Sequence, residues 1–264
     1  MSKGRPRGPR QDRRRHLKQL LAAGGALAVS GCDRLADSPA VNQTLDAAEG
    51  WTYTAQRLLL GRDALAQEYA ARDISPDPRS NGSSTPGTDE YNQLASNGFR
   101  DWRLTVGGLV EHPLSLTLDE VRQLPSRAQI TRHDCVEGWS YIAKWRGARL
   151  SALLGRAGLK REARYIAFFC MDTLEETLDG TGKYYETIDL RDALHPQTIL
   201  AYEMNDRPLP IPYGAPLRLR LERQLGYKMA KYLLRIEALA SFAHIDRGKG
   251  GFWEDRGYQW YAGI

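Results

Sequence analysis

Two stretches of the chain hold residue types that can do chemistry. The first runs Arg132-His133-Asp134-Cys135-Val136-Glu137-Gly138-Trp139-Ser140 and places a cysteine among mostly polar and charged neighbours. A structural cysteine normally sits among apolar side chains. If Arg132 or His133 approaches the sulfur, the thiol loses its proton more readily, giving a thiolate for nucleophilic attack or metal ligation. The second stretch runs from Pro212 through Arg218 to Arg220 and continues as Gly226-Tyr227-Lys228-Met229-Ala230-Lys231. On a helical turn Lys228 and Lys231 would point the same way. With the fork of Arg218 they could hold a phosphate or carboxylate, or else form a solvated basic face.

Cys135 alone leaves two readings open. It could close a disulfide with Cys170, as thiols often do in an oxidising compartment. It could instead be a reactive or metal-bound thiolate. One thiolate with no nearby second cysteine and no spaced histidine pair cannot build a tetrahedral zinc site, so a metal here would draw most of its ligands from elsewhere. Neither GxGxxG after a strand nor GxxxxGK[ST] occurs, so the glycine-rich nucleotide signatures are missing.

The elements that must position these residues follow from composition and periodicity. The chain has 264 residues, 42% of them hydrophobic, enough for a packed core. No run approaches the roughly 18 to 20 apolar residues that cross a bilayer, which excludes a polytopic membrane protein. Apolar spacing predicts a helix over Thr54 to Arg72, followed by a Pro- and Gly-rich loop from Ser75 to Asn92 of a length usually found in functional or disordered segments. Trp102 to Val106 alternates like a strand, with Gly107-Gly108 turning into a second strand at Leu109 and Val110. A capping box at Thr117 to Glu120 opens a short helix that Pro125 closes. Further strands are expected at Tyr165–Phe169, Tyr184–Ile188, Ile199–Glu203, Leu217–Leu221 and Leu233–Leu239. Helical turns are expected at Ser151–Ala157, ended by Gly158, and at Leu190–Leu194. Irregular interleaving of strands and short helices argues for an α+β fold. The aromatic stretch from Gly251 to Tyr261 is expected to pack back over the domain, and Tyr184 or Tyr185 to line an entrance.

The first 31 residues form an export signal, with Arg14-Arg15-x-Leu17-Lys18 resembling a twin-arginine motif. Val29-Ser30-Gly31-Cys32 resembles a lipobox, so Cys32 would be acylated and the protein held on the extracytoplasmic, periplasmic side of a bacterial membrane. Residues 32–53 then read as a tether and 54–264 as a single domain. Eight of the 37 Lys and Arg residues but one of the 32 acidic ones lie in the leader, so the basic balance belongs to the address and does not recommend a nucleic acid partner.

Several motifs now agree in order: Arg132 to Ser140, Ala201-Tyr202-Glu203-Met204-Asn205 with Pro208-Leu209-Pro210, Gly214-Ala215-Pro216-Leu217-Arg218, and Gly226 to Lys231. From about residue 74 onward the chain resembles the oxidoreductase molybdopterin-binding domain of the sulfite oxidase family, in its small bacterial members. The resemblance implies a sulfite-oxidase-type fold of mixed sheets and short helices, and an Mo-molybdopterin cofactor whose metal is ligated by Cys135. It implies further that Asn81 and Cys170 contact the cofactor. Arg218, Lys228 and Lys231, with the backbone at Met229 and Ala230, would grip its terminal phosphate. The chemistry implied is oxygen-atom transfer, either sulfite oxidation or reduction of an S- or N-oxide, on a small oxyanion or oxide substrate. Arg132 and His133 are catalytic candidates by proximity in sequence, as donors to an oxide.

No CxxCH haem motif is present, so electrons would pass through a separate carrier, a membrane cytochrome b or a soluble cytochrome c. The C-terminal dimerisation domain of sulfite oxidases is not found, and a monomer is expected. Tyr213 and Cys170 depart from the pattern of relatives. Competing readings are a thiol-disulfide lipoprotein using Cys135 and Cys170, and a binding lipoprotein of the same fold without metal.

Overall fold

The computed structural model describes residues 38–264 except 60, 62 and 179–181, so the expected leader and Cys32 lie outside the described residues. The chain divides into an N-terminal unit ending at Gln56 and a larger unit from Arg57 to Ile264. Helix α1 spans Pro39–Leu59. The stretch read as a tether is therefore helical from Pro39, and the helix expected over 54–72 stops at Leu59. Beyond it the chain runs extended. Ala66 exchanges two hydrogen bonds with the Gln197 side chain (2.7 and 3.1 Å), and Tyr69 N–H donates to Ile130 O (2.9 Å). These partners replace the intrahelical bonds that local spacing had suggested.

In chain order the larger unit contains α2 (Asp89–Ser96), β1 (Arg103–Gly108), β2 (Leu114–Thr117), α3 (Leu118–Arg122), β3 (Ser126–Asp134), β4 (Ser140–Arg149), α4 (Leu150–Ala157), β5 (Tyr165–Thr173), β6 (Lys183–Asp189), α5 (Leu190–Ala193), β7 (Ile199–Met204), β8 (Arg207–Pro208), β9 (Arg218–Arg220) and β10 (Leu233–Leu239). One sheet has the order β2-β1-β10-β5-β6, with β1 and β10 parallel and the other pairs antiparallel. The second sheet runs β3-β4-β7-β8, with β9 also paired to β7. Mixed sheets and short helices make this the α+β class expected from the sequence.

Local chemistry accounts for several boundaries. Thr117 Oγ1 accepts from Glu120 N–H (3.1 Å) while the Glu120 carboxylate accepts from Thr117 N–H (2.8 Å), the reciprocal capping box the sequence predicts. Thr88 caps α2 through its hydroxyl, which shortens the loop expected to reach Asn92. The second strand expected at Leu109 and Val110 lies instead at Leu114–Thr117, and Val110 makes only a bridge to Leu159. The main core joins Trp102, Leu104, Leu153, Phe168, Tyr232 and Ile236, all essentially buried. A second, smaller cluster around Tyr141, Trp145, Ile199 and Met204 lies on the second sheet. Among the described residues no helix is long and apolar enough to cross a membrane.

Candidate functional site

Cys135 occupies the tip of the β3–β4 hairpin. Its N–H donates to Trp139 O (2.9 Å), and Gly138 N–H donates back to Cys135 O (3.0 Å), closing a tight loop that fixes the thiol. The loop opens on a cleft of about 120 Å³. Four of the residues expected from sequence meet there: Asn81, Cys135, Met229 and Lys231. The cleft is further walled by Ser83, Glu137, Asp172 and Leu174, and by the rings of Tyr184, Tyr227, Trp253 and Tyr258. Tyr184 thus lines the opening as expected, whereas Tyr185 turns away and its hydroxyl donates to Asp255 (2.6 Å).

Lys231 lines the cleft, Arg218 lies close to it, and both are buried. Lys231 Nζ donates to the carbonyls of Asn81 (2.6 Å), Pro212 (2.9 Å) and Ser83. Arg218 donates to the carbonyls of Tyr213 (3.0 Å) and Met229 (3.3 Å) and lies over the Trp145 ring, while its Nε has no partner. These donors meet carbonyls rather than carboxylates, and the acids nearby, Asp172 for Lys231 and Glu222 for Arg218, act on them only through space. Burial, reinforced for Lys231 by Arg218, pulls the Lys231 ammonium down to about 7, and burial brings the Arg218 guanidinium down to about 10. Buried cations that no carboxylate grips directly are costly, and the arrangement fits an anionic group such as a phosphate. Gly214 closes the cradle at φ +110°, and a Cβ there would sit 2.9 Å from Lys231 Cβ.

Several residues expected at the site lie elsewhere. Strand alternation sends Arg132 and His133 to opposite faces of β3. Arg132 is half-exposed and ion-paired with Asp134 (2.8 Å), and His133 is fully buried and stacked on Tyr141; neither lines the cleft. They do not lower the Cys135 thiol, which burial raises above its usual range, with Arg79 the cation opposing that rise. Lys228 and Lys231 do not share a direction. The turn is a short 3-10 helix that ends at Lys228, and Met229 (φ −97°, ψ 74°) breaks it before Lys231. Lys228 is buried between Glu186 and Glu254 (2.5 Å each). Ala230 is fully buried, its carbonyl accepting from Leu219 N–H (2.8 Å).

Cys135 and Cys170 are both free thiols, so the thiol-disulfide reading lacks its bridge. Cys170 is buried on β5 near the Lys231 backbone, and it is Asp172, further along that strand, that reaches the cleft. One Asp172 oxygen accepts from Ser83 Oγ (2.7 Å) and the other is buried without a partner. Burial holds this carboxyl above the usual range. Asp172, Trp253 and Tyr258 were not singled out by spacing. Only the aromatic density of the C-terminal stretch pointed toward the last two.

Comparison with known proteins places this geometry in context. The family described as oxidoreductase molybdopterin binding domain matches residues 92–244. The putative protein-methionine-sulfoxide reductase subunit YedZ1 of Azospira oryzae is 36% identical over 252 residues, covering 95% of this chain and 87% of that protein. The protein-methionine-sulfoxide reductase catalytic subunit MsrP of Xanthomonas axonopodis pv. citri is 33% identical over 232 residues, covering 84% of this chain and 69% of that one. Among solved structures, the sulfane dehydrogenase SoxCD from Paracoccus pantotrophus matches with a TM-score of 0.50 at 19% identity, over 68% of this chain and 46% of that longer one. The last is a likeness of fold.

Proposed function

The chain belongs to the oxidoreductase molybdopterin-binding domain family, of the sulfite oxidase type, and is a molybdopterin-dependent oxidoreductase; from that premise we propose that the cleft at Cys135 is its cofactor and substrate site. Cys135 is the protein ligand to molybdenum, held in place by its hairpin loop. The observation that carries this reading is the meeting of that thiol in one cleft with Lys231, beside Arg218, two buried cations whose donors find only carbonyls. They would hold the terminal phosphate of the pterin, with Asn81 and the backbone at Met229 and Ala230 closing around it. When bound, the molybdenum centre supplies two-electron oxygen-atom transfer. Cys170 packs behind the phosphate end, and Lys228 acts on the turn from behind rather than on the phosphate.

The direction we propose is reduction of an S- or N-oxide. The sulfur–oxygen or nitrogen–oxygen bond breaks, the heteroatom keeps an electron pair, and the oxygen takes up two protons and leaves as water. Two electrons come from a separate one-electron carrier, a membrane cytochrome b or a soluble cytochrome c. The relatives named as methionine-sulfoxide reductase subunits support this direction and a partnered enzyme. The leader and Cys32 support export by the twin-arginine route and lipid anchoring outside the cytoplasm.

Activity with two dyes tests the reading. Purified enzyme with reduced viologen should consume methionine sulfoxide or dimethyl sulfoxide far faster than it oxidises sulfite with ferricyanide. Sulfite oxidation as the dominant reaction would reverse the proposed direction.

A further inference from the structure

The family match ends at residue 244, yet the chain beyond it builds one wall of the cleft through Trp253 and Tyr258. The two rings stack at 5.2 Å, and Tyr258 meets Tyr227 edge-on at 5.2 Å. Tyr227 belongs to the turn that leads into Met229 and Lys231, so the aromatic wall and the cation-bearing turn pack as one body.

This segment is pinned along its length. Glu254 reaches the buried Lys228, and the Tyr227 hydroxyl donates to Gln259 O (2.6 Å). Leu225 N–H donates to Ala262 O (2.9 Å), and Arg256 lies over the Phe252 ring while its fork grips Glu175. Trp253 packs edge-on against buried Phe252 at 5.2 Å. A wall fixed by this many independent bonds presents its rings at a set position, which is what selective binding of a substrate group needs.

The chemistry of that wall differs from the other end of the cleft. Lys231 and Cys135 are suited to a cofactor, whereas the rings of Trp253 and Tyr258, with Leu174 nearby, offer apolar faces that favour organic groups and offer nothing to a small inorganic anion. We propose that Trp253 and Tyr258 are specificity-determining residues, binding the organic substituent of an uncharged S- or N-oxide and so setting which oxides the enzyme takes. The proposal rests on the reading of the cleft as the molybdenum site.

The test compares purified, metal-loaded enzyme with Trp253→Ala, Tyr258→Ala and Trp253→Phe, using reduced methyl viologen as electron source. Two substrates are followed, phenyl methyl sulfoxide and dimethyl sulfoxide, together with molybdenum content by mass spectrometry. The ratio of kcat/KM for the aryl over the dimethyl substrate should fall about tenfold in each alanine variant, carried by KM, and Trp253→Phe should restore most of it. An unchanged ratio in variants that keep their molybdenum overturns the proposal. If Trp253→Ala loses the metal, Tyr258→Ala decides with the same two outcomes, since Tyr258 is 39% exposed and stands outside the buried core. Wild-type protein without molybdenum sinks the cofactor reading and this proposal with it, whereas loaded wild type with unselective variants sinks this proposal alone.

Discussion

Arg220 donates from Nη1 to His133 Nδ1 at 3.0 Å, and the same guanidinium clasps Glu222 through Nε (2.9 Å) and Nη2 (2.6 Å). All three side chains are buried. An imidazole that accepts from a guanidinium must be neutral, and burial, with Arg220, Arg218 and Lys231 adding to it, keeps His133 well below its usual range. The histidine beside the cysteine in sequence is therefore part of the scaffold that joins the end of β3 to the turn at Gly226.

That scaffold leaves no room at Gly226. A Cβ there would fall 2.4 Å from both Cε1 and Nε2 of His133. Gly226→Ala should lose about 1–3 kcal/mol of stability, read from urea unfolding, because the ring is hemmed in and cannot retreat. A loss under about 0.5 kcal/mol would show that the contact between strand and turn is loose.

Lys228 offers a sharper choice. Its ammonium lies between the Glu186 and Glu254 carboxylates, and burial together with Glu254 holds Glu186 well above its usual range. Lys228→Met should cost about 3–5 kcal/mol, since it strands two acids in the interior. Combining it with Glu186→Gln and Glu254→Gln should recover most of that loss in a thermal unfolding series. If Lys228→Met keeps its stability and loses only the cofactor, the lysine belongs to the phosphate after all.

The buried charge of Lys231 predicts a pH dependence in protein made without molybdopterin. Its folded-state value near 7 lies below the unfolded value near 10.4, so between those limits the unfolded chain binds the extra proton. Stability of this cofactor-free protein should rise from pH 7 toward pH 10, and the penalty should be fully present below pH 7. Lys231→Met should flatten the profile. A wild-type profile already flat over that interval would mean that the three carbonyls around Nζ satisfy the ammonium by themselves.

Strands β5, β6, β7, β9 and β10 were legible because Ile, Leu, Phe and Tyr carry many of their buried positions. The longest hairpin was not. The inward residues of β3 include Gln129, Thr131 and His133, buried polar side chains that break an alternation of hydrophobicity while obeying an alternation of burial. Their partners, such as Glu222 for Gln129 (2.8 Å), are distant in sequence and invisible to a local pattern. At the site, motif order brought Cys135, Asn81, Met229 and Lys231 to one cleft, with Arg218 beside Lys231. Proximity in sequence failed for Arg132, His133 and Lys228, because a strand and a broken turn separate side chains that lie only a few positions apart.

The claim on which the rest depends is that the Cys135 thiolate binds molybdenum. Mass-spectrometric quantification of the metal in wild type and Cys135→Ser, with unfolding curves to show that both are folded, tests it directly. Wild type should carry close to one molybdenum per chain and the folded variant almost none. Equal molybdenum in both, or none in a folded wild type expressed in a molybdopterin-producing host, would contradict it.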